Sequence, residues 1–202
     1  NVIEDEAMNA FAAGRDPKHS VVAATRGLLD SLNREELQAV IGHEMGHIRN
    51  FDIRFAMLIA VMVGVIGIMS HLFLRGMRFG GGRSRGSGRG KGNAAQAVFI
   101  LIGIVLAIIA PILATIIQMA VSRQREFMAD SSSVEFTRNP RGLISALTKL
   151  ASSPVKMEGA VKATQHMFIV NPFKNFGERS SNLFSTHPPI ESRIKVLESM
   201  VV

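Results

Sequence analysis

Two long apolar stretches are the strongest feature in the pattern of hydrophobic and polar positions. Residues 55–74 and 97–120 contain no Lys, Arg, Asp or Glu, and only Pro111 interrupts the second stretch. As helices, both are long enough to cross a hydrocarbon core of about 30 Å, and membrane helices tolerate proline. Two buried core helices are the alternative, but a chain of 202 residues has little protein to cover them. We therefore predict a transmembrane helical hairpin and the lipid bilayer as a partner.

The segment between these stretches is basic and glycine-rich. Residues 75–93 supply six Arg and Lys residues to a chain whose net charge is +7, so the basicity is local. Such a composition cannot hold a packed fold, and we predict a solvated loop. Arg-Gly sequence can tether nucleic acid, but no aromatic residue lies between Gly80 and Gly92. We therefore predict no nucleic-acid partner.

The pattern before the hairpin predicts a small sheet and a short helix. Two β-prone runs, Met8–Ala12 and Ser20–Ala24, flank the turn signal Gly14–Pro17 and predict a hairpin-like pair of strands. Thr25 is placed to cap a short helix that runs through Leu32.

A longer helix follows the predicted sheet. Asn33 and Glu36 form a capping-box pattern, and apolar residues recur at helical spacing from Leu37 to Ile48. The helix contains His43-Glu44-Met45-Gly46-His47, the pattern H-E-x-x-H.

The two histidines of this pattern indicate metal chemistry. His43 and His47 are four residues apart and stand on one face of the helix, where two neutral imidazoles can reach one tetrahedral Zn²⁺. Glu44 lies beside them and can act as a general base toward water. The chain has no Cys, so a zinc ion must use His and carboxylate ligands. A polar helix face without metal is the alternative, but it is costly among apolar neighbours.

The carboxylates after the second apolar stretch are candidates for the third ligand. An antiparallel hairpin returns Glu126 to about the height of His47, although an ion pair with a neighbouring arginine is the alternative. Asp130 follows at i+4 and can accept the free N–H of a ligand imidazole. The longer metzincin pattern is excluded because Asn50 and Ile53 occupy its Gly and third His positions. A His, His, Glu arrangement remains.

The rest of the chain is predicted to be mostly helical. A helix begins at Asn139-Pro140 and runs through Leu150, and residues 152–154 break it. A variable section around Asn171-Pro172 comes next. Residues 185–189, Ser-Thr-His-Pro-Pro, then begin the last helix with a proline near its first position.

Taken together, these motifs resemble those of the HtpX-type membrane zinc metalloproteases, which are relatives of the CAAX prenyl endopeptidases. The motifs are Met8–Ala12, His43–His47, Glu126 with Ala129-Asp130, and Thr186–Pro189 with Arg193. The resemblance implies a mainly α fold with a small β-sheet, namely a zincin-like (gluzincin) metalloprotease domain interrupted by a transmembrane helical hairpin.

The predicted domains follow from this fold. Residues 1–54 form the first part of the catalytic domain with the H-E-x-x-H helix, and residues 121–202 form its second part with the third zinc ligand. Residues 55–120 form the hairpin, which contains the loop at 75–93. Family members carry an N-terminal hydrophobic pair before this domain, and the chain begins at Asn1 without Met. We therefore interpret it as a fragment.

The resemblance also implies a function and a location. It predicts an integral-membrane, zinc-dependent endopeptidase with one Zn²⁺ per chain, which degrades misfolded or damaged membrane proteins. It places the protein in the bacterial inner membrane, with several spans and a cytoplasmic catalytic domain. The positive-inside rule would instead put the basic loop in the cytoplasm, unless preceding segments set the orientation. A catalytically inactive zinc protein acting as an adaptor is the alternative, but the retained Glu44 argues against it.

Three further roles are predicted. His43, His47 and Glu126 would hold the zinc ion, with Glu44 as the base. His187 and Arg193 correspond to catalytic accessory residues that stabilise charge on the carbonyl oxygen. The alternative is that His187 only begins a helix and that Arg193 pairs with a surface acid such as Glu191.

The last role concerns the substrate. An edge strand containing Asn9, Ala10, Phe11 and Ala12 would pair with an extended polypeptide substrate. The alternative is an ordinary sheet, because edge strands commonly have no partner.

Overall fold

The computed structural model describes residues 1–80, 93–152 and 187–201, without the side chains of residues 78–80 and 93–96. The predicted loop at 75–93 is wrong for residues 75–80 and Asn93, which are helical, because the continuous glycine-rich run begins only at Gly80. The rest of that prediction and the one for Asn171-Pro172 lie outside the described residues. The chain forms two compact units, one made of Asn1–Ala56 with Met119–Val202 and the other of Met57–Gln118. The division into catalytic and membrane domains stays a prediction.

A three-stranded sheet begins the first unit. Its strands are β1 (Val2–Ile3), β2 (Ala10–Asp16) and β3 (His19–Thr25), in the order β1-β3-β2. β1 runs parallel to β3, and β2 pairs with β3 in antiparallel register, with Ala10 opposite Ala24. The predicted hairpin is confirmed, and β2 lies at an edge of the described sheet.

The turn of this hairpin differs from the prediction. Gly14 belongs to β2, and the chain reverses only at Pro17 and Lys18, because the Asp16 carboxylate accepts the backbone N–H groups of Lys18 and His19. Gly14 has φ 143°, and a Cβ there would lie 2.3 Å from the carbonyl oxygen of His19. The glycine therefore marks an irregularity within the strand rather than the turn.

Two helices follow the sheet, and both begin at the predicted caps. α1 (Arg26–Ser31) has Thr25 as its N-cap, and α2 (Arg34–Arg49) has Asn33. The capping box is complete, since Asn33 Oδ1 accepts the Glu36 backbone N–H at 3.0 Å and Glu36 Oε2 accepts that of Asn33 at 2.8 Å.

The core of the first unit lies where α2 and the sheet meet two later helices, α5 (Pro140–Ser152) and α6 (Ile190–Glu198). α5 begins at the predicted proline. α6 begins directly after the predicted proline pair, because Pro189 keeps an extended ψ of 139° and serves as the N-cap. The buried cluster contains Leu28, Val40, Leu143, Leu147 and Leu197.

Glu36 connects the start of α2 to α5. Its side chain is buried and accepts hydrogen bonds from Ser145 Oγ at 2.6 Å and Lys149 Nζ at 2.8 Å, in addition to its capping contact. We expect Glu36→Ala to lower the free energy of unfolding by about 2 kcal/mol, because it removes the partner of these donors. Thermal unfolding of the detergent-solubilised protein measures this. Gln38→Ala, on the exposed face of the same helix, is the control, and equal transitions for the two variants would contradict the prediction.

The described residues of the second unit belong to two long helices. α3 (Asp52–Gly80) and α4 (Asn93–Thr137) are each long and apolar enough to cross a membrane, with candidate spans Asp52–Met77 and Ala97–Thr137 of mean hydropathy 2.4 and 3.0. The most apolar 18-residue part of each span is fully unburied. Among the described residues, this excludes the alternative that the two stretches are buried core helices. Pro111 stays inside α4, as membrane helices allow.

Candidate metal centre

Close packing between α2 and α4 brings the predicted ligands together. A Cβ at Gly46 would lie 2.9 Å from Ser132 Cβ, and one at Gly42 would lie 3.2 Å from Ser133 Oγ. Glycine therefore allows the two backbones to approach, and Ser133 Oγ donates to the backbone carbonyl of Ala39 at 2.6 Å. Gly42 and Gly46 are four residues apart and share a helix face, so their spacing in the sequence already indicates a surface that a second helix can approach.

Three ligand atoms converge at this contact. The Nε2 atoms of His43 and His47 are 3.2 Å apart, and each lies 3.7 Å from a carboxylate oxygen of Glu126. Ligand atoms that surround a tetrahedral zinc ion at its usual bond lengths lie about 3.3 Å from one another. The set His43, His47 and Glu126 therefore fits one metal ion of zinc's size and ligand preference.

Each imidazole is oriented by its own carboxylate. Asp130 Oδ1 lies 2.9 Å from His43 Nδ1, and Asp52 Oδ2 lies 2.8 Å from His47 Nδ1. An acceptor at Nδ1 holds the proton there and leaves Nε2 as the ligand atom. Asp130 thus contacts a predicted ligand imidazole, while its role in metal binding stays a prediction. Asp52 was missed, because the break between α2 and α3 removes it from the helical spacing of His47.

The base predicted for catalysis is buried beside these ligands. Glu44 is 3% exposed. Burial raises the pKa of its carboxyl group, with a smaller contribution from Glu126, and this outweighs the opposing influence of both imidazoles and of a hydrogen bond from the Ala12 backbone. A raised pKa suits a carboxylate that must accept and return a proton near neutral pH.

Several opposing influences set the charge of His47. Burial is the largest, and it lowers the pKa of the imidazole. The hydrogen bond to Asp52 and the charges of Glu126 and Glu44 act in the other direction and raise the pKa to about 9. The surrounding carboxylates thus favour positive charge at this position, which a metal cation also supplies.

Arg193 reaches the centre from α6. It is 1% exposed, and its Nε and Nη2 atoms donate to the two carboxylate oxygens of Asp130 at 2.8 and 2.6 Å. Its Nη1 lies 3.3 Å from Glu126 Oε2. The pairing with a surface acid such as Glu191 is therefore wrong, because the partners are buried. The ion pair of Glu126 with a neighbouring arginine is also wrong for Arg125, which pairs with Asp52.

His187 also reaches the Glu126 carboxylate. It is buried, three residues before α6 begins, and its Nδ1 is 3.3 Å from Glu126 Oε1. The structure thus brings His187 and Arg193 to the carboxylate of the predicted third ligand, while their part in catalysis stays a prediction.

The predicted substrate strand lies next to the centre. β2 contacts α2, and the Ala12 backbone lies close enough to Glu44 to lower the pKa of its carboxyl group. Ala10 is buried, Phe11 and Ala12 are half-buried, and the backbone N–H of Asn9 donates to Thr25 Oγ1 at 2.9 Å. The side of β2 away from β3 pairs with no other strand among the described residues.

The fold and the centre together define the class of this protein. It is a zincin-like domain of the His-His-Glu (gluzincin) type, and its chain also contains two long apolar helices. The chain belongs to peptidase family M48, whose sequence profile matches residues 1–201. The resemblance to the HtpX-type proteases is confirmed by curated relatives. A "Protease HtpX homolog" of Lactobacillus acidophilus is 50% identical over 98% of this chain, and one of Caldanaerobacter subterraneus subsp. tengcongensis is 47% identical over 100%.

The chain spans about two thirds of these relatives, 66% and 65% of their respective lengths. Among solved structures, the crystal structure of S. mikatae Ste24p has a similar fold, with a TM-score of 0.60 over 98% of this chain and 45% of the other. The two sequences are 19% identical, so the likeness concerns the fold.

Proposed function

We propose that this chain is the catalytic part of an integral-membrane, zinc-dependent endopeptidase. The observation that carries the proposal is the convergence of His43, His47 and Glu126 on one point, with Glu44 buried beside it. A structural metal site needs ligands but no base, so Glu44 supports a hydrolytic role. Membership of peptidase family M48 supports the same function.

A zinc ion at His43, His47 and Glu126 would supply Lewis acidity and lower the pKa of a water molecule. Glu44 is placed to act as the general base toward the attacking water and would return the proton to the leaving amine, which its raised pKa favours. Arg193 adds positive charge near the third ligand, and Arg193 and His187 both place hydrogen-bonding nitrogens there, where negative charge develops on the carbonyl oxygen.

The substrate would bind as an added strand along β2. Ala10, Phe11 and Ala12 lie in this edge strand, whose outward backbone groups can pair with an extended polypeptide. Asn9 precedes the strand, and its backbone N–H and carbonyl are bonded to Thr25, so we propose the pairing for the other three residues. Because the Ala12 backbone contacts Glu44, a peptide on this edge would bring its scissile bond close to the base.

The substrates we propose are misfolded or damaged membrane proteins, cleaved at the bacterial inner membrane by a cytoplasmic catalytic domain. One observation and one physical argument support this class of substrate. The chain contains two helices long and apolar enough to cross a membrane, which would keep the enzyme among membrane proteins. A substrate recognised through its backbone as an added strand needs no particular sequence but must be locally unfolded.

Casein hydrolysis by the detergent-purified protein tests the proposal. Casein should be cleaved, a chelator should abolish cleavage, and added Zn²⁺ should restore it, because the three ligands hold the metal that activates water. Zinc content must be measured in the same samples. A folded protein with one zinc ion per chain and no cleavage of casein or of an unfolded membrane protein would contradict the proposal and favour the adaptor.

A further inference from the structure

Both imidazoles of the metal centre take part in a similar series of contacts, from imidazole to carboxylate to guanidinium. Of these contacts, the sequence predicted only that of Asp130 with a ligand imidazole. His43 contacts Asp130, which is paired with Arg193. His47 contacts Asp52, and Arg125 Nη1 lies 2.9 Å from Asp52 Oδ1. Each imidazole thus contacts a carboxylate at Nδ1, and each carboxylate contacts a guanidinium.

The local backbone is shaped to bring Asp52 to His47. α2 ends at Arg49, and Phe51 adopts the left-handed conformation with φ 56°, which is unfavourable for a residue with a bulky side chain. Asn50, the C-cap, is held through its Nδ2, which donates to Ser132 Oγ at 3.3 Å. This reversal starts α3 at Asp52, whose carboxylate faces back toward the end of α2. Strain of this kind persists where the surroundings fix it, and it is common at functional sites.

Arg125 is held in place by two further contacts. Its guanidinium lies over the Phe55 ring, 4.1 Å from the centroid, and its Nη1 donates to the Asn50 carbonyl at 3.4 Å. Its contact with Asp52 is a close ion pair without hydrogen-bond alignment, so charge rather than bond direction holds the carboxylate. Arg125 also directly precedes Glu126 in α4. Of these two neighbouring residues, Glu126 supplies one ligand, and Arg125 contacts the carboxylate that orients another, His47.

We propose that Asp52 and Arg125 are positioning residues of the metal centre, with Asp52 fixing the Nδ1–H tautomer and ring orientation of His47 and Arg125 fixing Asp52. The inference rests on the zinc site of the proposed function but not on proteolysis. Without Asp52, His47 can carry its proton on Nε2 or rotate away from the ligand position, and the metal loses a preorganised ligand.

Zinc affinity of the purified protein, measured by competition with a chelating dye, tests the proposal. Asp52→Ala should bind Zn²⁺ about 10- to 100-fold more weakly, the usual cost of losing such a partner. Asp52→Asn keeps an acceptor for the imidazole N–H, so it should recover most of that loss.

Arg125→Met should weaken zinc binding, because it removes the positive charge that holds Asp52. Arg125→Lys should weaken it less, because lysine keeps that charge. The absorption spectrum of the Co²⁺-substituted protein should change in Asp52→Ala, since it reports ligand geometry.

The controls are Asp30→Ala and Arg141→Met, which alter exposed residues of the same types in other helices and should leave affinity unchanged. Circular dichroism under the conditions of the titration identifies variants that fail to fold. If Asp52→Ala is one of them, the zinc affinity of Asp52→Asn tests the role of Asp52.

Wild-type affinity and an unchanged Co²⁺ spectrum in folded Asp52→Ala would overturn the proposal, as would an Asp52→Asn variant that binds as weakly as Asp52→Ala. A wild-type protein that binds zinc but cleaves nothing would overturn only the endopeptidase function, because the affinity ratios still decide the role of Asp52.

Discussion

Glu44→Gln is expected to abolish peptide hydrolysis while the protein keeps its zinc ion. The amide has nearly the same shape as the carboxylate but cannot accept the proton of a water molecule. Removing a general base typically costs a factor of about 10² to 10⁴ in rate. The ligand atoms belong to His43, His47 and Glu126 and are not altered. Turnover of casein and metal content are measured on the same preparation, so that loss of activity is not confused with loss of metal.

Glu35→Gln is the matched control, because it makes the same substitution on the exposed face of α2. It should hydrolyse casein at the rate of the wild type. Substantial turnover in zinc-loaded Glu44→Gln would remove Glu44 from the role of base. An inactive control would indicate that α2 does not tolerate the substitution in general.

The parts of the site that lie within one helix were accessible from the sequence. His43, Glu44 and His47 are related by the helical repeat, and the capping box at Asn33 fixes where that helix begins. Local hydrogen bonds and periodicity decide both features, and a sequence displays them directly. The two apolar helices were accessible for the same reason, since length and composition determine them.

The parts that depend on contacts between distant segments were only partly accessible. Glu126 could be proposed because an antiparallel hairpin has a simple geometry. Asp52 could not, because its approach to His47 depends on the left-handed conformation of Phe51, an unusual residue for that position. The turn after β2 was misplaced because Gly14 is a common turn residue, whereas here its lack of a Cβ admits the neighbouring strand.

Glu126→Ala is expected to lose the metal ion, while Asp130→Ala should only weaken its binding. Glu126 provides one of three ligand atoms, and its removal leaves two imidazoles beside the positive charge of Arg193, which repels a cation. Asp130 touches His43 at the nitrogen that faces away from the metal, so its loss should cost about 10- to 100-fold in affinity. Zinc titration of both variants, at equal protein concentration, measures the difference.

Asp130 also pairs with the buried Arg193, and removing one partner of a buried ion pair costs about 3–5 kcal/mol of stability. Asp130→Asn therefore accompanies Asp130→Ala, since the amide keeps the shape and an acceptor for His43. Glu135→Ala is the control on the same helix, because that carboxylate is exposed and pairs with Arg49 at the surface. Its zinc affinity should match that of the wild type. If folded Glu126→Ala retained zinc and folded Asp130→Asn lost it, Asp130 rather than Glu126 would be the ligand, and His43 would have to turn to meet it.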